Sequence, residues 1–150
     1  MDAYGPNKYQ PFITDCVMCR TCEMICAAYH ERENNPDPAR IHVKFKEMDW
    51  IEGKSDTTVE RHVCRQCPGV SACMTACPVE GALYRDENTG AVLVNDDLCI
   101  RCKSCVAACP YDAIWYNERK DKVLKCDLCG GEPKCVEFCP VQCLKYEREC

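Results

Sequence analysis

Four groups of closely spaced cysteines constrain the fold of this chain more than any other feature of its sequence. The groups read CVMCRTCEMIC, CRQCPGVSACMTACP, CIRCKSCVAACP and CDLCGGEPKCVEFCP. Their cysteines, in chain order, are Cys16, Cys19, Cys22 and Cys26; Cys64, Cys67, Cys73 and Cys77; Cys99, Cys102, Cys105 and Cys109; and Cys126, Cys129, Cys135 and Cys139. Of the 18 cysteines, only Cys143 and Cys150 fall outside the groups. The repeat indicates that one small cysteine-rich unit is used four times.

The spacing C-x2-C-x2-C-x3-C-P of the third group is typical of iron–sulfur proteins, in which the fourth cysteine binds a different cluster from the first three. Three thiolates on a tight loop hold three corners of one cluster, and the next three residues make about one helical turn. Proline then ends the helix in three groups, as Pro78, Pro110 and Pro140, whereas Ala27 follows the first group. The second and fourth groups lengthen the middle gap to PGVSA and GGEPK, which predict an outward turn. We therefore predict four [4Fe–4S] clusters.

Zinc and disulfide bonds are the alternative uses of these cysteines. Structural zinc sites combine two CxxC units, or one CxxC with two histidines, across a longer loop, whereas here a third cysteine follows closely. Disulfides need an oxidising compartment, and the start MDAYGPNKYQPF has no basic segment followed by an apolar run. No apolar stretch approaches the roughly 20 residues that span a bilayer. We expect a soluble, cytoplasmic chain, although a partner with an export signal would be able to carry it across a membrane.

Composition limits what else the chain does. Apolar residues make up 47% of the chain, but cysteine, 18 of 150 residues, is included in that figure. The remainder is low for a sizeable hydrophobic core, so bound clusters are expected to supply much of the folding free energy. The net charge of −5 argues against nucleic-acid binding. The sequence has no Gly-rich phosphate loop and no nucleophile–base pair, so we expect no catalytic site of its own.

Exchange of the fourth ligand requires the groups to act in pairs. Only 21 residues separate the second and third groups, and within them GALYRD and AVLVN alternate like strands around the turn ENTG, as in a small two-cluster ferredoxin. If these groups pair, the first and fourth pair with each other. The four ligand sets are then Cys64, Cys67, Cys73 with Cys109; Cys99, Cys102, Cys105 with Cys77; Cys16, Cys19, Cys22 with Cys139; and Cys126, Cys129, Cys135 with Cys26. The rival arrangement, first with second and third with fourth, is disfavoured by the 37 residues between Cys26 and Cys64 but stays open.

These patterns predict an α+β fold of short strands and helices, with many loops around the clusters. Two ferredoxin-like units are expected within a single unit of residues 1–150, one nested inside the other. The inner unit spans about residues 60–112, and the outer unit about 12–59 together with 113–150. RIHVKF also alternates like a strand before the charged MDWIEGKSDTT, and YDAIWYNERKDKVLK predicts a hairpin that turns at ERKD.

The chain resembles the four-cluster iron–sulfur subunits, polyferredoxin-like proteins that accompany molybdenum and tungsten pterin oxidoreductases. These enzymes include dimethyl sulfoxide reductases, formate dehydrogenases, some hydrogenases and aldehyde oxidoreductases. The resemblance covers residues 12 to about 146. It rests on the alanine after Cys26, the elongated second group, VNDDLCIRCKSCVAACPYDAI and KCDLCGGEPKCVEFCP.

This resemblance implies the inner-and-outer ligand pairing and two ferredoxin-like units related by a pseudo-twofold axis. It implies an electron-transfer subunit that relays electrons between a catalytic subunit and a second redox partner. The chain lacks the additional C-terminal length with which larger members contact a membrane subunit, so we expect a soluble complex. A tungsten enzyme of the aldehyde oxidoreductase type is the first choice of partner. A free-standing polyferredoxin carrier and a zinc-stabilised interaction module are the alternative functions.

Several other side chains have either a functional or a purely structural interpretation. Five cations lie within or beside the groups and either raise the potential of a cluster, bind a partner, or are solvated surface charges: Arg20, Arg65, Arg101, Lys103 and Lys125. Because each group already has four cysteines, we expect the histidines not to be ligands: His30, His42 and His62. Three aromatic residues suit either a subunit contact or packing beside a cluster: Trp50, Trp115 and Tyr116. Cys143 is expected to be a buried spare thiol rather than an alternative ligand, and Cys150 to be mobile.

Overall fold

The computed structural model describes residues 7–11, 16–45 and 59–148 of the chain. Trp50, Cys150 and the stretch MDWIEGKSDTT lie outside the described residues. Within the described residues there are four α-helices: α1 (Thr21–Glu31), α2 (Ala72–Ala76), α3 (Ser104–Ala108) and α4 (Lys134–Glu137). The described strands are β1 (Asn7–Pro11), β2 (Ile41–Phe45), β3 (Val59–Val63), β4 (Leu83–Arg85), β5 (Val92–Val94), β6 (Ile114–Asn117), β7 (Lys122–Lys125) and β8 (Leu144–Arg148). This mixture agrees with the predicted α+β class.

The strands form two-stranded antiparallel sheets that pair β1 with β8, β2 with β3, β4 with β5, and β6 with β7. The predicted hairpins are confirmed: Leu83 is opposite Val94 across β4–β5, and Asn117 is opposite Lys122 on either side of the ERKD turn. The strand predicted in RIHVKF is also confirmed, as β2. Sequence analysis did not identify β1, β3 or β8. The pairing of β1 with β8 joins the two ends of the described chain, which are far apart in sequence.

The residue after the fourth cysteine accounts for where the helices α1, α2 and α3 end. The helices α2 and α3 have five residues each and end at Cys77 and Cys109, whose backbones are extended. A residue before proline is disfavoured in the helical conformation, so Pro78 and Pro110 account for these ends. Where Ala27 replaces the proline, α1 continues through Cys26 to a length of 11 residues. The helix α1 contacts α4, and α2 contacts α3.

Two clusters of buried side chains form the core, and cysteines belong to both. The first contains Ala27, Ile41, Val63, Leu128 and Leu144. The second contains Leu83, Val92, Ile114 and Val123, together with Cys73 and Cys105. Each cysteine group therefore contributes at least one thiol to the packing of the core. None of the helices in the described part of the chain has the length and apolar character needed to cross a bilayer.

Candidate iron–sulfur sites

The first loop of every cysteine group shares one unusual backbone conformation at an equivalent position. In each group, the second residue between the first and second cysteines has a positive φ: Met18 at 57°, Gln66 at 49°, Arg101 at 58° and Leu128 at 57°. Residues other than glycine rarely adopt this left-handed conformation, which requires support from the surrounding structure. Its recurrence at four equivalent positions shows that the four loops turn alike before the second cysteine. Such turns point successive backbone N–H groups into a concavity that binds anions, including iron–sulfur clusters.

One pocket is lined by cysteines from two groups. Its lining includes Cys64, Cys67 and Cys73 from the second group and Cys109 from the third, which we call the second-group site. Around them lie Ala72, Val92 and Ile114, with the buried Gln66 and Lys125. Burial raises the pKa of Cys67, and the neighbouring thiols Cys64, Cys73 and Cys109 contribute to the rise.

A second pocket has the reciprocal composition. It is lined by Cys99, Cys102 and Cys105 from the third group and Cys77 from the second, which we call the third-group site. Its other lining residues are mainly apolar and include Leu83, Val94 and Val123. Burial, together with the charge of Cys99, raises the pKa of Cys105 to about 11. Cys102 is exposed, and its hydrogen bonds with Ser104 lower its pKa.

Both pockets fit an iron–sulfur cluster in their chemistry. Four cysteines line each pocket, and the lining of neither, within the described residues, includes a carboxylate or an imidazole that would compete for iron. Burial, together with the neighbouring thiols, raises the pKa values of Cys67 and Cys105. Metal binding replaces these protons and relieves the repulsion between neighbouring thiolates.

The first and fourth groups come together in the first core cluster. Cys26, Cys135 and Cys143 are buried there, and four further cysteines pack against them: Cys16, Cys22, Cys126 and Cys139. We call Cys16, Cys19, Cys22 and Cys139 the first-group site, and Cys126, Cys129, Cys135 and Cys26 the fourth-group site. The core cluster itself does not divide these cysteines into two sets. The pKa of Cys126 shows which cysteines lie near it: burial raises this pKa, and the charges of Cys64, Cys135 and Cys26 raise it further.

A polar network that sequence analysis missed surrounds the fourth-group site. His30 lies 3.6 Å from Cys26 Sγ through Nδ1 and 2.9 Å from Asp127 Oδ1 through Nε2. Arg40 donates to Asp127 Oδ2 at 3.0 Å, and its backbone N–H donates to Cys26 Sγ at 3.2 Å. Burial lowers the pKa of His30, but hydrogen bonds with Asp127, Cys129 and Cys26 raise it to about 12. The network thus contacts Cys26 and Cys129, two cysteines that are predicted to bind the same cluster.

Cys139 and Cys143 differ in their environments. Their sulfurs lie 3.5 Å apart. Burial raises the pKa of Cys139, but hydrogen bonds from Cys143 and from the backbone of Val141 and Leu144 lower it overall. Burial and the contact with Cys139 instead raise the pKa of Cys143 to about 12. Of the two thiols, Cys139 is therefore the more acidic.

The structure separates the five cations that the sequence analysis selected. Arg20, Arg101 and Lys103 are exposed, and Arg65 is half-buried above the ring of Tyr111. Lys125, in contrast, is only 4% exposed and donates to Cys64 Sγ at 3.2 Å. A surface role is therefore wrong for Lys125.

The remaining histidines and aromatic residues have local packing partners. The ring of Trp115 packs edge-to-face on His42 at 4.4 Å between centroids. His62 lies 3.4 Å from Asp112, and Tyr116 packs against the second core cluster. These contacts show that Trp115 and Tyr116, which belong to β6, pack within the fold.

Comparison with known proteins gives consistent matches. A family model described as a 4Fe-4S dicluster domain matches residues 56–149. The polyferredoxin-like subunit of the aliphatic sulfonate oxidoreductase of Pyrococcus furiosus is 44% identical over 124 residues, covering 83% of this chain and 66% of that protein. The putative electron transport protein YsaA of Escherichia coli is 37% identical, and the match covers 90% of this chain and 87% of that protein. The B subunit of the anaerobic dimethyl sulfoxide reductase of the same organism is 36% identical, covering 87% and 68%. This protein thus spans about two thirds of the length of the first and third of these relatives.

Proposed function

Because the chain belongs to the 4Fe-4S dicluster domain family, we propose that it is an electron-transfer subunit with four [4Fe–4S] clusters that connects a catalytic oxidoreductase subunit to a second redox partner. The names of its relatives, as subunits of a sulfonate oxidoreductase and a dimethyl sulfoxide reductase, support a partner of this kind. We take the catalytic subunit to be a tungsten or molybdenum pterin enzyme, as the resemblance of the cysteine groups implies. The partner holds the substrate chemistry, and this chain carries the electrons.

Bound clusters supply one-electron redox chemistry, while the chain holds, spaces and shields them. We assign the ligands as the four named sites, each with three cysteines from one group and the fourth from another. The lining of the second-group and third-group pockets supports this assignment. For the first-group site, the charges of Cys139 and Cys16 both act on Cys143, which supports a shared location.

Electrostatic interactions between cysteines of neighbouring sites support a single row. Cys135 contributes to the raised pKa of Cys22, which links the first-group and fourth-group sites. Cys64 has this effect on Cys126, which links the fourth-group and second-group sites. Cys73 contributes to the raised pKa of Cys105, which links the second-group and third-group sites. The proposed order is therefore first-group, fourth-group, second-group and third-group site.

The exposure of the cysteines is the observation that carries the proposal. Of the sixteen assigned ligands, all of which lie in the described residues, only Cys19 and Cys102 are exposed. They belong to the two sites at opposite ends of the proposed row. Beside them, Val17 and Ile100 occupy equivalent loop positions and are 60% and 62% exposed. Two exposed ends with apolar neighbours suit two redox partners, one at each end.

Metal analysis tests the cofactors. Four clusters require about sixteen irons and as many sulfides per chain, measured on anaerobically prepared protein. A reproducible value near twelve irons would mean that one group is empty or holds another metal. Zinc without acid-labile sulfide would replace the proposal with the zinc-stabilised module.

Purification from the native source tests the role as a subunit. We expect gel filtration to give a stable complex that contains a second, larger chain with tungsten or molybdenum. A lone particle of 17.1 kDa with intact clusters would favour the free-standing polyferredoxin carrier instead. A complex without either metal would retain the electron-transfer role and reject the pterin partner.

A further inference from the structure

Lys125 is a buried cation whose described surroundings contain no carboxylate paired with it. It is the last residue of β7 and directly precedes Cys126. Its Nζ donates to Cys64 Sγ at 3.2 Å and to the carbonyl oxygen of Val92 at 2.6 Å. A buried ammonium group is strongly unfavourable unless an anion compensates its charge. The neutral carbonyl of Val92 does not supply that charge, so it must come from the side of Cys64.

The neighbouring carboxylate of Asp127 does not fill this role. Asp127, two residues further along, is engaged by Arg40 at 3.0 Å and by His30 at 2.9 Å. Arg40, a half-buried cation beside Cys26, therefore has its own carboxylate. Lys125 differs because its only ionisable hydrogen-bond partner among the described residues is Cys64 of the second-group site. Four thiolates around a [4Fe–4S] cluster give that site a net negative charge, which completes the pair.

We propose that Lys125 is the internal counter-charge of the cluster held at the second-group site and that it raises the reduction potential of this cluster. The inference rests on the proposed function, since it requires a cluster at that site. Reduction adds one negative charge, so a fixed cation at 3.2 Å from a ligand sulfur stabilises the reduced form more than the oxidised form. The surroundings are buried, so solvent and salt screen this interaction little.

The third-group site provides an internal comparison. Lys103 lines its pocket, but this lysine is exposed and its Nζ lies 4.1 Å from the centroid of the Tyr116 ring. Water screens its charge, so its effect on the adjacent site is expected to be small. In the proposed row, the second-group site lies between the fourth-group and third-group sites. Raising its potential shifts the equilibrium position of an electron towards the interior of the row.

The test uses the full chain with its clusters, prepared anaerobically as the parent, Lys125→Gln, Lys125→Arg and Lys103→Gln. Redox titrations followed by paramagnetic resonance and visible absorbance record each reduction step. We expect Lys125→Gln to move one step to lower potential by at least tenfold in the equilibrium constant, about 59 mV for one electron. This step should be the one that Cys109→Ala removes. Lys125→Arg keeps the charge, and Lys103→Gln removes a charge that water screens. In each of these two variants, the potential of every step should shift by less than half of the shift in Lys125→Gln.

Three results would overturn the inference. The first is a Lys125→Gln protein that keeps the iron content of the parent and shows no shifted step. The second is an equal shift in Lys125→Arg, which would assign the effect to packing rather than charge. The third is loss of about four irons in both Lys125→Gln and Lys125→Arg. Loss of these irons in Lys125→Gln alone, with the full iron content kept in Lys125→Arg, would instead support the counter-charge. Failure of the proposed function is distinguishable, because the parent itself would then lack iron and sulfide.

Discussion

The second-group and third-group sites use the same loop in different surroundings. In both, a residue with a positive φ precedes the second cysteine, Gln66 in one and Arg101 in the other. In both, a serine hydroxyl lies close to a cysteine sulfur: Ser71 is 3.1 Å from Cys73, and Ser104 is 3.3 Å from Cys102. Yet Gln66 is 1% exposed, whereas the side chain of Arg101 is 41% exposed. Cysteine spacing therefore determines the loop, and the neighbouring elements determine how far it is shielded.

Contacts with the fourth group account for the difference. Gln66 Nε2 donates to the carbonyl oxygen of Cys126 at 2.9 Å, and its Oε1 accepts from the backbone of Val92 at 3.1 Å. Arg101 instead contacts Asp121, an exposed residue in the turn of the adjacent hairpin. The second-group site is thus covered on the side where the proposed row continues, while the third-group site meets solvent where the row ends.

Removing all clusters should have the largest effect and abolish the difference between the two sites. The helices α2 and α3 have five residues each, whereas an isolated helix needs about 12–15 residues to be marginally stable in water. Both core clusters also contain cysteines, whose packing depends on the metal. We expect the far-ultraviolet circular dichroism of the apoprotein to lose most of its native signal. The clusters are removed with a chelator under anaerobic, non-oxidising conditions, which controls for oxidation of the thiols. Native secondary structure that persists in the apoprotein would contradict the prediction.

Alanine substitutions at the equivalent loop positions should have the next largest effect, because they should lower the free energy of unfolding by different amounts at the two sites. Gln66→Ala leaves two buried backbone partners unsatisfied and should lower the free energy of unfolding by about 2–3 kcal/mol. Arg101→Ala removes an exposed pair and should cost less than about 1 kcal/mol. Both positions have a positive φ, so any backbone cost of alanine is shared and cancels in the comparison. Anaerobic guanidinium unfolding measures the difference, and equal losses would show that Gln66 does not shield its site.

The two serine hydroxyls should produce the smallest effect. A hydroxyl that donates to a ligand sulfur stabilises the more negative, reduced cluster, so its removal lowers the reduction potential. We expect Ser71→Ala to lower the potential of one step by less than tenfold in the equilibrium constant, about 59 mV, and Ser104→Ala by a smaller amount because Cys102 is exposed. Ser71 precedes α2 without a side-chain capping bond, so its substitution should leave that helix intact. A larger shift in Ser104→Ala would reverse the assignment of the shielded site.

Local patterns made part of the fold predictable. The hairpins β4–β5 and β6–β7 follow from alternating residues on either side of a short polar turn, and all of these signals lie within about 15 residues. The departure at Ala27 was visible in the sequence, but the continuation of α1 to Glu31 was not predicted from it. The strands β1 and β8 pair across almost the whole chain, and neither strand has a turn that would reveal its partner.

The environment of the sites was less predictable, because it depends on contacts between distant residues. Lys125 could be selected as a cation next to a cysteine, but its burial results from partners 61 and 33 residues away, Cys64 and Val92. Gln66 reaches Cys126 across 60 residues, and His30 reaches Asp127 across 97. No local periodicity encodes such contacts. The ligand sets themselves stay predictions until the clusters are measured.

The exchange of ligands between groups is the central claim, and Cys105 and Cys109 test it most directly. Both belong to the third group and flank α3, with Cys105 in its first turn and Cys109 at its end. Cys105 lines the pocket of the third-group site, whereas Cys109 lines the pocket of the second-group site. The measurement is paramagnetic resonance during stepwise reduction of Cys105→Ala and Cys109→Ala, each compared with the parent. We expect each variant to convert a different cluster to a three-iron form or to lose it, although the substitutions are four residues apart. Loss of the same cluster in both variants would show that each group closes its own cluster and would contradict the exchange.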